Sequence, residues 1–179
     1  MTARDGAAEN PLTATMNSQS LAGLSKQSTG KNMKYWDDII IGETARFPGQ
    51  YNMTEDNIIE VGKEWDPYPF HTDPVIAQES IYGGLVASTV HLFAITVKLG
   101  HSATQVLSAV SSLGITDLNN HAPAYAGDTL KCQATFIEKR LSKSKPPMGI
   151  MTARSELSNQ DEKLLFSYLT TALYNLRPE

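Results

Sequence analysis

Leu85-Val-Ala-Ser-Thr-Val-His-Leu-Phe-Ala-Ile-Thr-Val-Lys-Leu99 is the stretch on which the fold turns. Leu85, Val86, Val90, Leu92, Phe93, Ile95, Val97 and Leu99 recur at helical spacing without keeping to one face. A helix that is apolar all round is one surrounded by other structure. The spacing therefore predicts a buried helix over 85–99, with Gly100 as its stop signal.

Beyond the helix the period changes to two. Leu130, Cys132, Ala134 and Phe136 alternate with Lys131, Gln133 and Thr135, and Met151, Ala153 and Leu157 alternate with Thr152, Arg154 and Glu156. The run 164–176 is long and rich in β-formers. Asn159-Gln-Asp-Glu162 and Ala126-Gly-Asp128 have the composition of turns. One central helix followed by antiparallel strands predicts an α+β fold in which a curved sheet wraps the helix.

Upstream, Thr54 has the character of an N-cap, with Glu55 and Asp56 in a first turn where the helix dipole favours negative charge. Ile58, Ile59, Val61 and Trp65 give that helix an apolar face, and Pro67 ends it. Trp65-Asp-Pro-Tyr-Pro-Phe-His71 cannot continue as regular helix with prolines at alternate positions. A short helix is expected after it, capped by Asp73 with Pro74 at its first position. Residues 1–32 are rich in Ala, Ser, Thr, Gly, Asn and Gln without periodicity. Such a segment buries too little apolar area to offset its ordering entropy, which predicts a flexible extension over 1–32 and one folded domain over 33–179.

Lys and Arg number 15 against 19 Asp and Glu, a net charge of −4 with no block of like charge. Neither a nucleic-acid backbone nor a membrane surface is expected as a partner. Cys132 is the single cysteine, so it makes no internal disulfide and completes no cysteine zinc site; its neighbours predict a buried thiol. The expectation is a cytoplasmic protein. Ser88, Thr89, His91, Thr96 and Lys98 interrupt the apolar run, which falls short of the roughly 20 residues a membrane span needs. Residues 1–32 also lack the continuous apolar segment of a secretory signal.

Asp66-Pro-Tyr-Pro-Phe-His71 resembles the Asp-x-Asn-Pro-x-His signature of MaoC-like dehydratases and R-specific enoyl-CoA hydratases. Further segments resemble that family in order and spacing: Tyr35-Trp-Asp-Asp with Ile41-Gly42, Thr72-Asp-Pro74, Tyr82-Gly-Gly-Leu-Val-Ala-Ser88, Ala126-Gly-Asp-Thr-Leu130 and Asn159-Gln160. The likeness runs from about Tyr35 to the C-terminus. It implies a hot-dog fold, an acyl-thioester substrate and no cofactor beyond the coenzyme A of the substrate. It also implies syn addition of water to an enoyl thioester, giving the (R)-3-hydroxyacyl product. One long helix and one sheet leave a second surface to cover, so at least a homodimer is expected.

The chemistry accounts for such a pair. Hydration deprotonates a water attacking the β-carbon and delivers a proton to the α-carbon, and a carboxylate beside an imidazole suits both tasks near neutral pH. Pro67 and Pro69 stiffen the span between Asp66 and His71, which limits the freedom lost in orienting them. The resemblance places the oxyanion-binding backbone N–H at Thr89, where the family has glycine, and Tyr68 stands where the signature has Asn. Phe70, Gly83, Gly84 and Ser88 join Tyr68 as expected substrate contacts, the glycines by close backbone approach. Basic residues common before the Pro-x-x-x-Gly-Asp turn are here Asn119 and Ala122; Lys143 and Lys145 are candidates for coenzyme A phosphates, the alternative being an acyl carrier other than free coenzyme A.

Rival readings remain. His91 reads as a satisfied core histidine, His101 as solvated, and His121 as a loop residue with no evident partner. His71 and Asp73 lack a third residue at ligand spacing, so no metal is expected. A hot-dog thioesterase would commonly place a carboxylate on the central helix, and 85–99 holds no Asp or Glu. A non-catalytic acyl-thioester binder on the same fold is the alternative of a different class.

Overall fold

The structure, a computed structural model, describes residues 33–143 and 147–178. The expected extension over 1–32, and Lys145, lie outside the described residues. The chain runs β1 (Met33–Lys34), a 3-10 turn (Trp36–Asp38), β2 (Thr44–Asn52), α1 (Glu55–Trp65), α2 (Pro69–Thr72), α3 (Pro74–Glu79) and α4 (Thr89–Gly100). It continues through β3 (Val106–Leu107), β4 (Ala109–Asn120), β5 (Thr129–Leu141), β6 (Gly149–Ser158) and β7 (Leu164–Tyr174). Five strands form an antiparallel sheet in the order β2-β5-β6-β7-β4, while β1 and β3 make a short parallel pair.

Alternation on β5 works as the sequence predicts, with Leu130, Cys132, Ala134 and Phe136 all buried. Leu130 and Cys132 pack with Leu92, Ile95 and Leu99 of α4 and with Leu157, Leu165 and Phe166, so the helix lies on the sheet. Its start differs from expectation. Residues 85–88 are extended rather than helical, because Val86 N–H bonds to Phe70 C=O and Ala87 N–H to Ala124 C=O. Ser88 then caps α4 by accepting the His91 N–H. The expectation of a fully surrounded helix also needs correction, since Val90 and Val97 are 46% and 41% exposed in the single chain.

Thr54 caps α1 through the Asn57 N–H, and Asp73 caps α3 through the amides of Val75 and Ile76. Asp128, buried in its turn, accepts from the Tyr125 N–H and from the side-chain amides of Asn159 and Gln160. One carboxylate thereby ties both turns together, which explains why Gly-Asp and Asn-Gln belong to a single pattern.

Two strands carry no clear signal in the sequence. Edge strand β2 contains Pro48-Gly49 in a register shift between Arg46 and Gln50, and proline is tolerated at an edge or bulge. β4 is exposed along its whole length and its pairing with β7 shifts three times.

Candidate active site

Asp66 ends α1, its backbone N–H bonded to Gly62 C=O, and Pro67 prevents a further turn. The break is shorter than the prolines predict. Pro69 opens the one-turn α2, a position where its missing N–H costs nothing, and His71 sits inside that turn. The end of one helix and the start of the next thus bring the two side chains together. His71 Nε2 lies 3.6 Å from Asp66 Oδ2.

That distance is too long for a direct hydrogen bond and short enough for both atoms to contact one water placed beside the line joining them. His71 Nδ1 is 2.6 Å from Val86 C=O. A carbonyl only accepts, so Nδ1 carries a proton, and in the one neutral tautomer this bond allows Nε2 presents its lone pair on the Asp66 side. His71 is buried and Asp66 about a quarter exposed (8% and 28% by side chain), so the pair sits at a boundary that solvent reaches from the carboxylate side. Gly62 packs behind His71. A Cβ there would stand 2.7 Å from the His71 carbonyl oxygen and 3.0 Å from its Cβ.

Asp66 and His71 open onto a cavity of about 410 Å³. Tyr68, Phe70 and Tyr82 form one aromatic part of its lining: Tyr68 and Phe70 stack at 5.4 Å, and Phe70 also meets His71 and Tyr82. Thr89, the first residue of α4, lines it too. An amide at that position has no partner within its own helix and lies at the positive end of the dipole.

Of the residues singled out in the sequence, Asp66, Tyr68, Phe70, His71 and Thr89 therefore meet at one cavity. Gly83, Gly84 and Ser88 are not among its lining residues. Ser88 is occupied as a helix cap, and Gly83 has φ +66, a turn conformation that itself favours glycine. At Gly84 no protein atom lies closer than 3.7 Å to a would-be Cβ, so packing within the chain does not itself require glycine there.

Asn120, His121, Ala122 and Pro123 line the cavity without having been expected there. His121 does have a partner: its Nε2 is 2.8 Å from Ser167 Oγ. His91 is buried as expected but only partly satisfied. Its Nε2 is 3.4 Å from the Tyr51 hydroxyl, its Nδ1 has no partner among the described residues, and burial pushes its pKa down. Lys143 is exposed and does not line the cavity. Among the described residues no His, Cys, Asp and Glu cluster has the geometry to hold a metal ion. No helix among them is long and apolar enough to cross a membrane.

The family profile described as MaoC like domain matches residues 38–156. The fold is similar to a MaoC-like dehydratase of Rhodospirillum rubrum, at TM-score 0.75 and 28% identity, covering 82% of this chain and 99% of that one. The R-hydratase PhaJ1 of Pseudomonas aeruginosa superposes at TM-score 0.60 and 18% identity, over 80% of this chain and 86% of its own. A Mycobacterium tuberculosis protein with a double hot-dog fold aligns at TM-score 0.64 and 19% identity, over 82% of this chain and 45% of its own. The five-stranded sheet with its central helix is thus a hot-dog fold.

Proposed function

The chain belongs to the MaoC-like dehydratase family, and from that premise we propose that it reversibly hydrates a trans-2-enoyl thioester to the (R)-3-hydroxyacyl thioester. The observation that carries this reading is the Asp66–His71 pair at a cavity, with the imidazole tautomer fixed by the Val86 carbonyl.

In the proposed cycle one water sits between Asp66 Oδ2 and His71 Nε2. Nε2 takes a proton from this water as its oxygen bonds to the β-carbon. The π electrons move toward the thioester, whose oxygen becomes enolate-like and accepts the Thr89 N–H. Nε2–H then returns the proton to the α-carbon on the same face, which makes the addition syn and leaves imidazole neutral. Asp66 accepts the second water O–H and stabilises the transient imidazolium. Water is the only species consumed besides the enoyl thioester, and no cofactor beyond its carrier enters.

A homodimer belongs to the same proposal. β4 is a twelve-residue edge with exposed Val110, Leu113, Ile115 and Leu118, and α4 leaves Val90 and Val97 uncovered. A long apolar edge invites pairing with another chain, and a second copy would cover it. Sedimentation equilibrium of the full chain reads this directly, and a monomer at micromolar concentration would remove it.

Crotonyl-CoA hydration, followed for wild type, Asp66→Asn and His71→Ala, tests the reaction. Both variants are expected to lose 10²–10⁴-fold in kcat/KM with melting little changed. Retained hydration in both would overturn the assignment. Thioester binding without turnover in the wild type would favour the non-catalytic binder, and release of free thiol the thioesterase.

A further inference from the structure

The cavity has two chemically different parts. Tyr68, Phe70 and Tyr82 provide the aromatic surface around the Asp66–His71 pair. Asn120 and His121 arrive from the end of β4, some fifty residues later in the chain, and give the same cavity hydrogen-bonding groups. Both residues are exposed to solvent in the single chain, and an acyl chain made only of methylenes has no use for their hydrogen-bonding groups.

Both residues are held in place. The His121 N–H bonds to Leu165 C=O at 2.8 Å, and its Nε2 meets the buried Ser167 hydroxyl. When Ser167 donates to Nε2, Nδ1 must carry the proton, and His121 then has one N–H free to donate elsewhere. Asn120 Nδ2 donates to Thr89 Oγ1 at 2.7 Å, which fastens the end of the strand to the first residue of α4. The backbone before them is irregular. β4 slips register between Thr116 and Asn119, and Asp117 takes φ +48, a left-handed conformation uncommon for any residue with a side chain. A bulge of this kind re-aims the side chains that follow it. Strained backbone, an anchored imidazole and an anchored amide therefore converge on one edge of the cavity.

We propose that Asn120 and His121 form a polar subsite that selects acyl groups bearing an oxygen acceptor, a hydroxyl or a carboxylate, beyond the reacting double bond. The choice of test substrates rests on the hydratase reading; the subsite itself is measurable without turnover. In this subsite the ring Nδ1–H of His121 donates to the distal oxygen while the aromatic surface packs the carbons between that oxygen and the thioester. Among the described residues no lysine or arginine lines the cavity, so the described lining offers the acceptor directed hydrogen bonds.

Two sets of coenzyme A thioesters separate the possibilities. The reactive set is crotonyl, 4-hydroxycrotonyl and 3-carboxyacrylyl; the unreactive set is butyryl, 4-hydroxybutyryl and succinyl, read by calorimetric titration. In the wild type at least one oxygenated member is expected to exceed its apolar counterpart by about tenfold in kcat/KM and in affinity, the value of one good hydrogen bond. The hydroxyl and carboxylate arms report which oxygen is preferred. His121→Leu is expected to bring that ratio to near parity. Ser167→Ala, which keeps the imidazole and removes its anchor, is expected to reduce the ratio by a smaller factor. Melting curves establish that both variants fold.

A wild-type protein with no preference in either set would overturn the proposal. So would a ratio unchanged by His121→Leu, or an equal loss for apolar and oxygenated thioesters, which would assign His121 to the carrier common to all of them. Should no thioester be hydrated while the binding ratio still responds to His121→Leu, the subsite stands and the hydratase reading alone fails.

Discussion

Gly62→Ala tests how tightly the imidazole must be held. In α1 the exchange removes a backbone penalty and should favour the helix by roughly 0.5–1 kcal/mol. Space argues the other way. The new Cβ would stand 2.7 Å from the His71 carbonyl oxygen, where ordinary contact begins at 3.4 Å. One of the two must therefore move by about 0.7 Å, since 3.4 − 2.7 = 0.7. Overpacking of this kind costs about 1–3 kcal/mol, so the net loss of stability is small, about 0–2.5 kcal/mol.

The displacement falls on His71, the proton acceptor of the proposed reaction, and a shift near 1 Å costs about 10²-fold in rate. The expected result is a 10–100-fold fall in kcat for enoyl-CoA hydration with melting lowered by only a few degrees. Gly100→Ala is the matched control, because a Cβ there meets nothing within 4 Å and the residue lies at the far end of α4. It should raise stability slightly and leave kcat alone. A Gly62→Ala protein that keeps its wild-type kcat would refute the idea that close helix packing positions His71.

Three further outcomes follow from the buried polar groups. Burial lowers the His91 pKa, so the unfolded chain takes up a proton on this residue that the folded one resists. Stability from this source is complete above about pH 6.5 and declines as the pH falls below it; the melting temperature should drop between pH 7.5 and 5.5 and do so less in His91→Leu, and equal slopes would exclude the residue. Asp128→Ala orphans the Tyr125 N–H and the Asn159 amide and takes one of two acceptors from Gln160, and should cost about 2–4 kcal/mol in urea unfolding, with Asp128→Asn recovering part of the loss. The Cys132 thiol is pushed up to about 12 by burial and by Glu156, so iodoacetamide should label it only in denaturant; rapid labelling of the folded protein would contradict its buried place.

Much of this architecture is legible in the residues because local chemistry and final environment agree. Thr54 and Asp73 cap the helices they announce, and the alternation around Cys132 follows burial. Leu85–Ala87 mislead because their apolar character serves a buried extended segment as well as it would a helix, and only tertiary pairing with Phe70 and Ala124 decides between them. β4 hides for the opposite reason: an exposed, bulged edge strand imposes no alternation on its sequence. The same limit applies to the site. Asp66 and His71 sit in one stiff segment and can be read together, whereas His121 reaches them only through the pairing of β4 with β7.

The carbonyl that orients His71 belongs to the main chain of Val86. An orienting carboxylate is lost by a single codon change, but no exchange of side chain at residue 86 deletes a peptide oxygen. Its N–H is engaged with Phe70, so proline is the one replacement that removes a main-chain donor there. Drift at this position can reshape the cavity wall, and with it substrate preference, while the imidazole keeps its tautomer. The device that fixes the imidazole tautomer is thereby uncoupled from the identity of the side chain at residue 86.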